Sequence, residues 1–214
     1  MGETAPRGTA SNLMTAYGLA LYTSGSTLGL AVGCAPDDLR VQTWPQGRQI
    51  ASHLHTTLEA FLAPLKWTDL VYVAVACGPG SFTSTRLGVI TARTLAQSLT
   101  LPLWSLSSLG CLAWAAGRST PTPIAVTLPA GPNQVYGGVY VGTAFGPQAL
   151  CPDRVFTAGE WQTALLTWPK SLTVAATLDE APVTELWQWA ALEWQQGKRP
   201  AWTEALPFYG RSPV

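Results

Sequence analysis

Residues 78–88 read "GPGSFTSTRLG", directly after the apolar run "LVYVAVAC" (70–77) and directly before a long stretch with helical spacing. An unbroken apolar strand is typical of one covered on both faces, and a strand, a glycine-rich corner and a helix in that order predict an α/β protein. The corner exposes backbone N–H groups at the positive end of a helix, so it can take a phosphate. Gly78 and Gly80 can equally serve only to permit a tight turn around Pro79. The missing Lys of a G-x-x-x-x-G-K-[ST] loop and the missing G-x-G-x-x-G fingerprint weigh toward the second reading. Ser81 is no nucleophile elbow, which needs G-x-S-x-G where this chain continues "SFT"; Ser81 or Thr83 is instead placed to cap the helix.

That helix is predicted to run to about Leu99, closed by Pro102. Ser84, Gly88, Ala92 and Ala96 stand four apart as a ridge of small side chains, with Leu87, Val89, Ile90, Leu95 and Leu99 supplying bulk elsewhere. A small ridge lets another helix axis come close over a long seam, so a helix partner is expected on it. Upstream, Ile50, Leu54, Leu58, Phe61, Leu62 and Leu65 recur at spacings of three and four and mark a first helix from Arg48 to Leu65, ended or kinked by Pro64. The segments "YGLALYT" and "LGLAVG" read as an antiparallel pair, followed by a third strand around Val41–Trp44. Downstream come a helix near Ser107–Ala116, the strands "PIAVTL" and "QVYGGVYVG", a helix in "TAGEWQTALLTW", the strand "SLTVAAT" and a helix in "VTELWQWAALEWQQG" stopped by Gly197. The roughly repeated order predicts two similar lobes, residues 13–106 and 107–202, between a loose tail at 1–12 and a C-terminal tail at 203–214 that docks without a period of its own.

Twelve Lys plus Arg balance twelve Asp plus Glu, so no global basic field concentrates nucleic acid, and any link to RNA runs through a partner. Charged residues are only 11% against about 25% in ordinary domains, and there are ten Trp. Two explanations stand: an extra face buried against a partner, or a Trp-rich core. Cys34, Cys77, Cys111 and Cys151 lie far apart with no C-x-x-C pair, which argues against zinc and thioredoxin-type redox chemistry and fits reduced thiols in the cytoplasm. The uncharged run between Arg7 and Asp37 could suit a signal peptide or a membrane span, but "TSGSTLG" punctuates its middle and favours a hairpin. His53 and His55 lie two apart on a helix and point about 200° apart, so they cannot share a metal on one face; one is expected at the surface and the other packed. No metal is expected. Carboxylates are sparse, and the first hairpin, "LALYTSGST", offers Tyr22 and no acid where a magnesium nucleotide site would want one.

The segment "GPGSFTSTRLGVITARTLA" resembles the GPGSFTG-x-R-x-G segment and alanine-rich helix of the TsaB-type (YeaZ-like) family of bacterial tRNA threonylcarbamoyladenosine biosynthesis. "LALYTSGSTLGLAVG", "SHLHTTLEAFL", "QVYGGVY" and "PFYGR" add to the likeness, which spans most of Leu13 to Arg211. The resemblance implies an actin-like ATPase (ribonuclease H-like) fold, with two similar lobes that each hold a mixed sheet flanked by helices. It also implies a non-catalytic cytoplasmic subunit without cofactor. Such a subunit pairs with a TsaD-type transferase, works with a TsaE-type ATPase, touches tRNA only indirectly, and can form a homodimer through the same helices. Carried onto this chain, the contact falls on Leu54 and Leu58 of the first helix and on Phe82, Ser84, Arg86, Leu87, Gly88, Thr91, Ala92, Leu95 and Ala96 of the second, with Gly78, Pro79, Gly80 and Ser81 as the corner that starts it. Arg86 and Arg93 could pair with partner carboxylates or be solvated flank residues. Three positions depart from the family: Tyr22 stands for an acid, Ser84 for the last Gly of the motif, and "LPAGPNQVY" lacks an Asp-Ala-Arg. All three weaken a nucleotide site. The competing readings are an ATP-binding or ATP-hydrolysing enzyme of the same superfamily and a glycoprotease-like peptidase.

Overall fold

A computed structural model describes residues 16–45, 50–118, 121–168, 170–177 and 179–210. The tail at 1–12, the start near Leu13, the helix start at Arg48 and residues 211–214 of the C-terminal tail lie outside the described residues. The first sheet has the order β3-β2-β1-β4-β5, built from β1 (Tyr17–Tyr22), β2 (Thr27–Gly33), β3 (Arg40–Pro45), β4 (Leu70–Ala76) and β5 (Leu103–Leu106). β1 pairs antiparallel with β2 and β2 with β3, while β4 lies parallel to β1 and β5 parallel to β4. The second sheet, β8-β7-β6-β9, comprises β6 (Ile124–Gly131), β7 (Gln134–Thr143), β8 (Gly146–Thr157) and β9 (Leu172–Ala175). It repeats the first sheet one strand short, with two antiparallel pairs and then the parallel pair β6–β9. The repeat is the two-lobed arrangement the sequence implies.

Strand alternation divides each sheet between two layers. Leu19 and Leu21 of β1, with Leu28, Leu30, Val73 and Val75, face α1 (Ile50–Leu62) and α2 (Phe82–Leu99). On the opposite face Ala20, Ala31, Ala74 and Ala76 leave room for Leu186, Trp187 and Ala190 of α5 (Val183–Gln195). The indole N–H of Trp187 donates to the Gly18 carbonyl at 2.9 Å, which satisfies the one polar atom of a large buried ring. In the second lobe Ile124, Val126 and Leu128 face α3 (Ser108–Gly117), while Ala125 and Val139 face Trp161 of α4 (Ala158–Leu165). All ten tryptophans are buried or half-buried, so the Trp-rich core accounts for them. Among the described residues no helix is long and apolar enough to cross a membrane, and the described part of the uncharged N-terminal run, residues 16–36, holds the β1–β2 hairpin.

Several expectations need correction. α5, read from sequence as part of the second lobe, packs on the first sheet, because its large side chains match the alanine face there. β5 and β8 were not anticipated. β5 has only four residues, and Pro147 and Pro152 mask β8, an edge strand where proline costs no ladder bond on its open side. His53 and His55 are both exposed, with neither packed. The small ridge of α2 does not face outward: Gly88 is buried, and Ala92 and Ala96 are 0% exposed. It lies on the sheet and the β1–β2 turn, where a Cβ on Gly88 would overlap the Thr23 hydroxyl. Gly88→Leu should therefore lower stability by about 1–3 kcal/mol, read from the urea unfolding midpoint of the isolated protein. Unchanged stability would put the ridge back at the surface.

Candidate functional site

The corner between β4 and α2 is fastened on every side. Ser81 is the N-cap residue of α2, yet its side chain makes no capping bond and instead meets the Ser84 hydroxyl at 3.2 Å. Its backbone N–H, a donor that a phosphate would need, donates to the Ser24 carbonyl at 2.6 Å. The Ser24 hydroxyl donates to the Ala76 carbonyl at 3.3 Å. Gly80 has no room for a side chain, since a Cβ there would overlap the Ser24 carbonyl. Gly78 has φ +101°, a left-handed conformation that favours glycine, and its carbonyl accepts from Ser108 N–H at 2.8 Å. The Cys77 carbonyl accepts from Phe208 N–H at 2.7 Å, so the C-terminal tail closes the corner from outside. The turn of the first hairpin fills the space in front of α2, with Thr23 and Ser24 buried.

The predicted contact residues separate into two sets. Leu54 and Leu58 are buried in the first core, as are Thr91, Gly88, Ala92 and Ala96, so these six hold α1 and α2 to their own lobe. Leu87 and Leu95 are half-buried against the same core, and Ser84 is half-buried. Facing solvent are Phe82, at 59% exposure, and Arg86, whose guanidinium lies 5.4 Å from the centre of the Phe82 ring. Ile90, one of the bulky positions off the small ridge, is 55% exposed on that same face. The tail, bonded to Arg93 at Ala205, adds Leu206, also exposed, and Tyr209, whose ring centre lies 4.9 Å from that of Phe82 with the planes tilted by 40°. Arg93 neither waits for a partner nor floats in solvent: its guanidinium donates to the Ala205 carbonyl at 3.0 Å and lies over the Trp202 ring. It pins the tail to α2.

A cleft of about 380 Å³ opens beside the corner, between β5, Trp189 in the middle of α5, and β7–β8. It holds a carboxylate that no motif or spacing in the chain predicts there. Asp153 of β8 accepts from the hydroxyls of Ser107 and Tyr140, which are themselves 3.0 Å apart. Ser107 is also the N-cap of α3, its hydroxyl oxygen accepting from Gly110 N–H at 2.9 Å. That bond turns the Ser107 proton toward Asp153. Burial pushes the Asp153 carboxyl up to about 6, the two hydroxyls pulling the other way. Burial likewise raises the Cys77 thiol to about 11, so it is no thiolate nucleophile at neutral pH. Among the described residues no group of His, Cys, Asp and Glu is placed to hold a metal ion, and the cysteines are free. No short-range signal could reveal the Ser107–Tyr140–Asp153 cluster, which joins residues far apart in sequence.

The family model described as TsaD, tRNA N6-adenosine threonylcarbamoyltransferase, matches residues 47–159, more than half of the chain. The TsaB protein of Bacillus subtilis (strain 168), named as a tRNA threonylcarbamoyladenosine biosynthesis protein, is 40% identical over 93 residues, covering 44% of this chain and 40% of that protein. The TsaB protein of Buchnera aphidicola is 39% identical over 80 residues, covering 37% and 38%. The chain thus matches about 40% of the length of these curated relatives. Among solved structures, YeaZ of Pseudomonas aeruginosa superposes with a TM-score of 0.73 at 21% identity over 91% of this chain and 99% of that one. A second, described as an uncharacterized protein with similarity to peptidase YEAZ from Pseudomonas aeruginosa, gives 0.76 at 22% over 92% and 100%. These two likenesses establish the actin-like fold with its two mixed sheets. Taken together, the matches place the chain in the TsaD family, as a member of TsaB/YeaZ type.

Proposed function

We propose that this chain takes part in making threonylcarbamoyladenosine in tRNA as a non-catalytic subunit that binds a TsaD-type transferase and stabilises its active arrangement. The observation that carries the reading is the outward strip of α2, where Phe82 and Ile90 are 59% and 55% exposed on the helix opened by the family's most specific segment. Large apolar side chains grouped on one exposed helix face mark a contact surface. Arg86, Leu206 and Tyr209 extend the strip, and Leu54, Leu58, Gly88, Ala92 and Ala96 serve it from beneath by fixing both helices to the sheet. In the larger complex a TsaE-type ATPase would join this pair in the cytoplasm, tRNA would be reached only through the transferase, and in its absence the same strip would serve a homodimer.

The non-catalytic role draws support from the cleft. Its one charged lining residue, Asp153, is negative, which repels phosphate, and the Ser81 N–H at the head of α2 is already taken by Ser24. Tyr22 is buried where an acid would orient magnesium.

Ile90→Asp should weaken co-elution with the TsaD-type transferase of the same organism by at least about thirty-fold in affinity, as loss of a central anchor does. It should leave thermal stability of the isolated chain nearly unchanged, since the site is exposed. Retained co-elution would move the contact off this face. Calorimetric titration of the isolated chain with magnesium ATP should give no saturable heat; a saturable isotherm would return the cleft to nucleotide chemistry.

A further inference from the structure

Asp153 is a partly buried carboxylate without a cation. Its two hydrogen-bond donors, Ser107 and Tyr140, are neutral hydroxyls, and among the described residues no Lys, Arg or His pairs with it. Arg154, its neighbour on β8, turns to the other side of the strand, as alternation requires, and lies 4.2 Å from the centre of the Phe156 ring. The other titratable groups nearest the carboxylate are Tyr140 from β7, Cys77 from the end of β4 and Cys111 from α3; burial raises all three, leaving them neutral at pH 7. A partly buried, ionised carboxylate whose hydrogen-bond donors are all neutral is incompletely compensated, and a cation at hydrogen-bond distance is the group that would complete it.

The walls say which cation. Tyr140, Trp189 and Phe208 line the cleft together with Pro147 and Pro152. Aromatic faces attract ammonium groups, whereas a hard metal ion needs several oxygen ligands that rings and prolines cannot supply. A volume of about 380 Å³ falls within the range of small-molecule sites. We propose that the cleft between the two sheets binds a small organic ammonium ion, its N–H groups donating to Asp153 and its carbon skeleton lying against Tyr140, Trp189 and Phe208. The site is separate from the α2 strip and stands whether or not that strip binds a transferase.

The test titrates the full chain with benzylamine, charged at neutral pH, against neutral benzyl alcohol and anionic benzoate, by calorimetry and by tryptophan fluorescence. Benzylamine should bind saturably near pH 8, with the alcohol and benzoate at least tenfold weaker. The sign of the pH effect follows from the carboxyl of about 6: as pH falls through that value Asp153 takes a proton and loses its charge, so affinity should drop about tenfold by pH 5. Asp153→Asn should lose at least tenfold at pH 8 and lose the pH dependence. Tyr140→Phe, which keeps the carboxylate, should still bind. Should Asp153→Asn fail to fold, the pH series on the natural chain and the Tyr140→Phe variant still decide. Equal binding of benzyl alcohol, affinity unchanged between pH 8 and pH 5, affinity unchanged in a folded Asp153→Asn, or no saturable binding of benzylamine would each overturn the proposal.

Discussion

The fold turns on one close approach. The turn after β1 lies against the head of α2 because Gly80 and Gly88 bring no side chain of their own to the contact; a Cβ on either would overlap the Ser24 carbonyl or the Thr23 hydroxyl. Ser24 then bonds in both directions, accepting from Ser81 N–H and donating to the Ala76 carbonyl. The strand that feeds the corner and the helix that leaves it are thus fastened to the same turn. This sets the tilt of α2 on the sheet, and the tilt decides which of its side chains are spent on the core and which remain outside. A phosphate and this turn would compete for the same N–H group and the same volume.

The C-terminal third secures the arrangement from the far side. α5 returns from the second lobe to the alanine face of the first sheet, where Trp187 finds both room and the Gly18 carbonyl. The tail then runs alongside α2, with Ala205 in the first core, Arg93 holding its carbonyl, and Phe208 bonded to Cys77 at the corner. The two lobes are therefore laced together by chain that belongs to neither sheet, and the cleft between them has walls contributed by β7, β8, α5 and the tail. Such multiply anchored walls hold a site's geometry more firmly than a single loop would.

How much of this could be read from the residues depends on the range of the contact. The stripe of α1 and the β1–β2 hairpin follow from local periods, and the structure places Leu54, Leu58, Leu19 and Leu21 as those periods require. The ridge Ser84, Gly88, Ala92, Ala96 was read with the right spacing and the wrong neighbour. A row of small side chains says that something approaches closely, but a neighbouring helix and the chain's own turn leave the same mark. Ile90 carries the complementary lesson: the spacing set it apart from the small ridge as bulk, and its position on the helix puts it outside. β8 was hidden by two prolines that only an edge strand accommodates, and Asp153 went unseen with it.

Asp153 also bears on which ligands the cleft between the two sheets would admit. A triphosphate and magnesium bring opposite charges that a protein must balance with acids around the metal and donors around the phosphates. Here the hairpin position that resemblance to the family makes acidic is Tyr22, buried and neutral. The negative charge sits instead across the cleft on β8, bonded to two hydroxyls and lined by aromatic rings. Moving one carboxylate from the metal side of a cleft to its wall reverses which ligands the field admits: phosphate is repelled and ammonium is drawn in. The backbone framework survives such a change intact, because the close approach that fixes α2 depends on glycines and a serine carbonyl and on no charge at all.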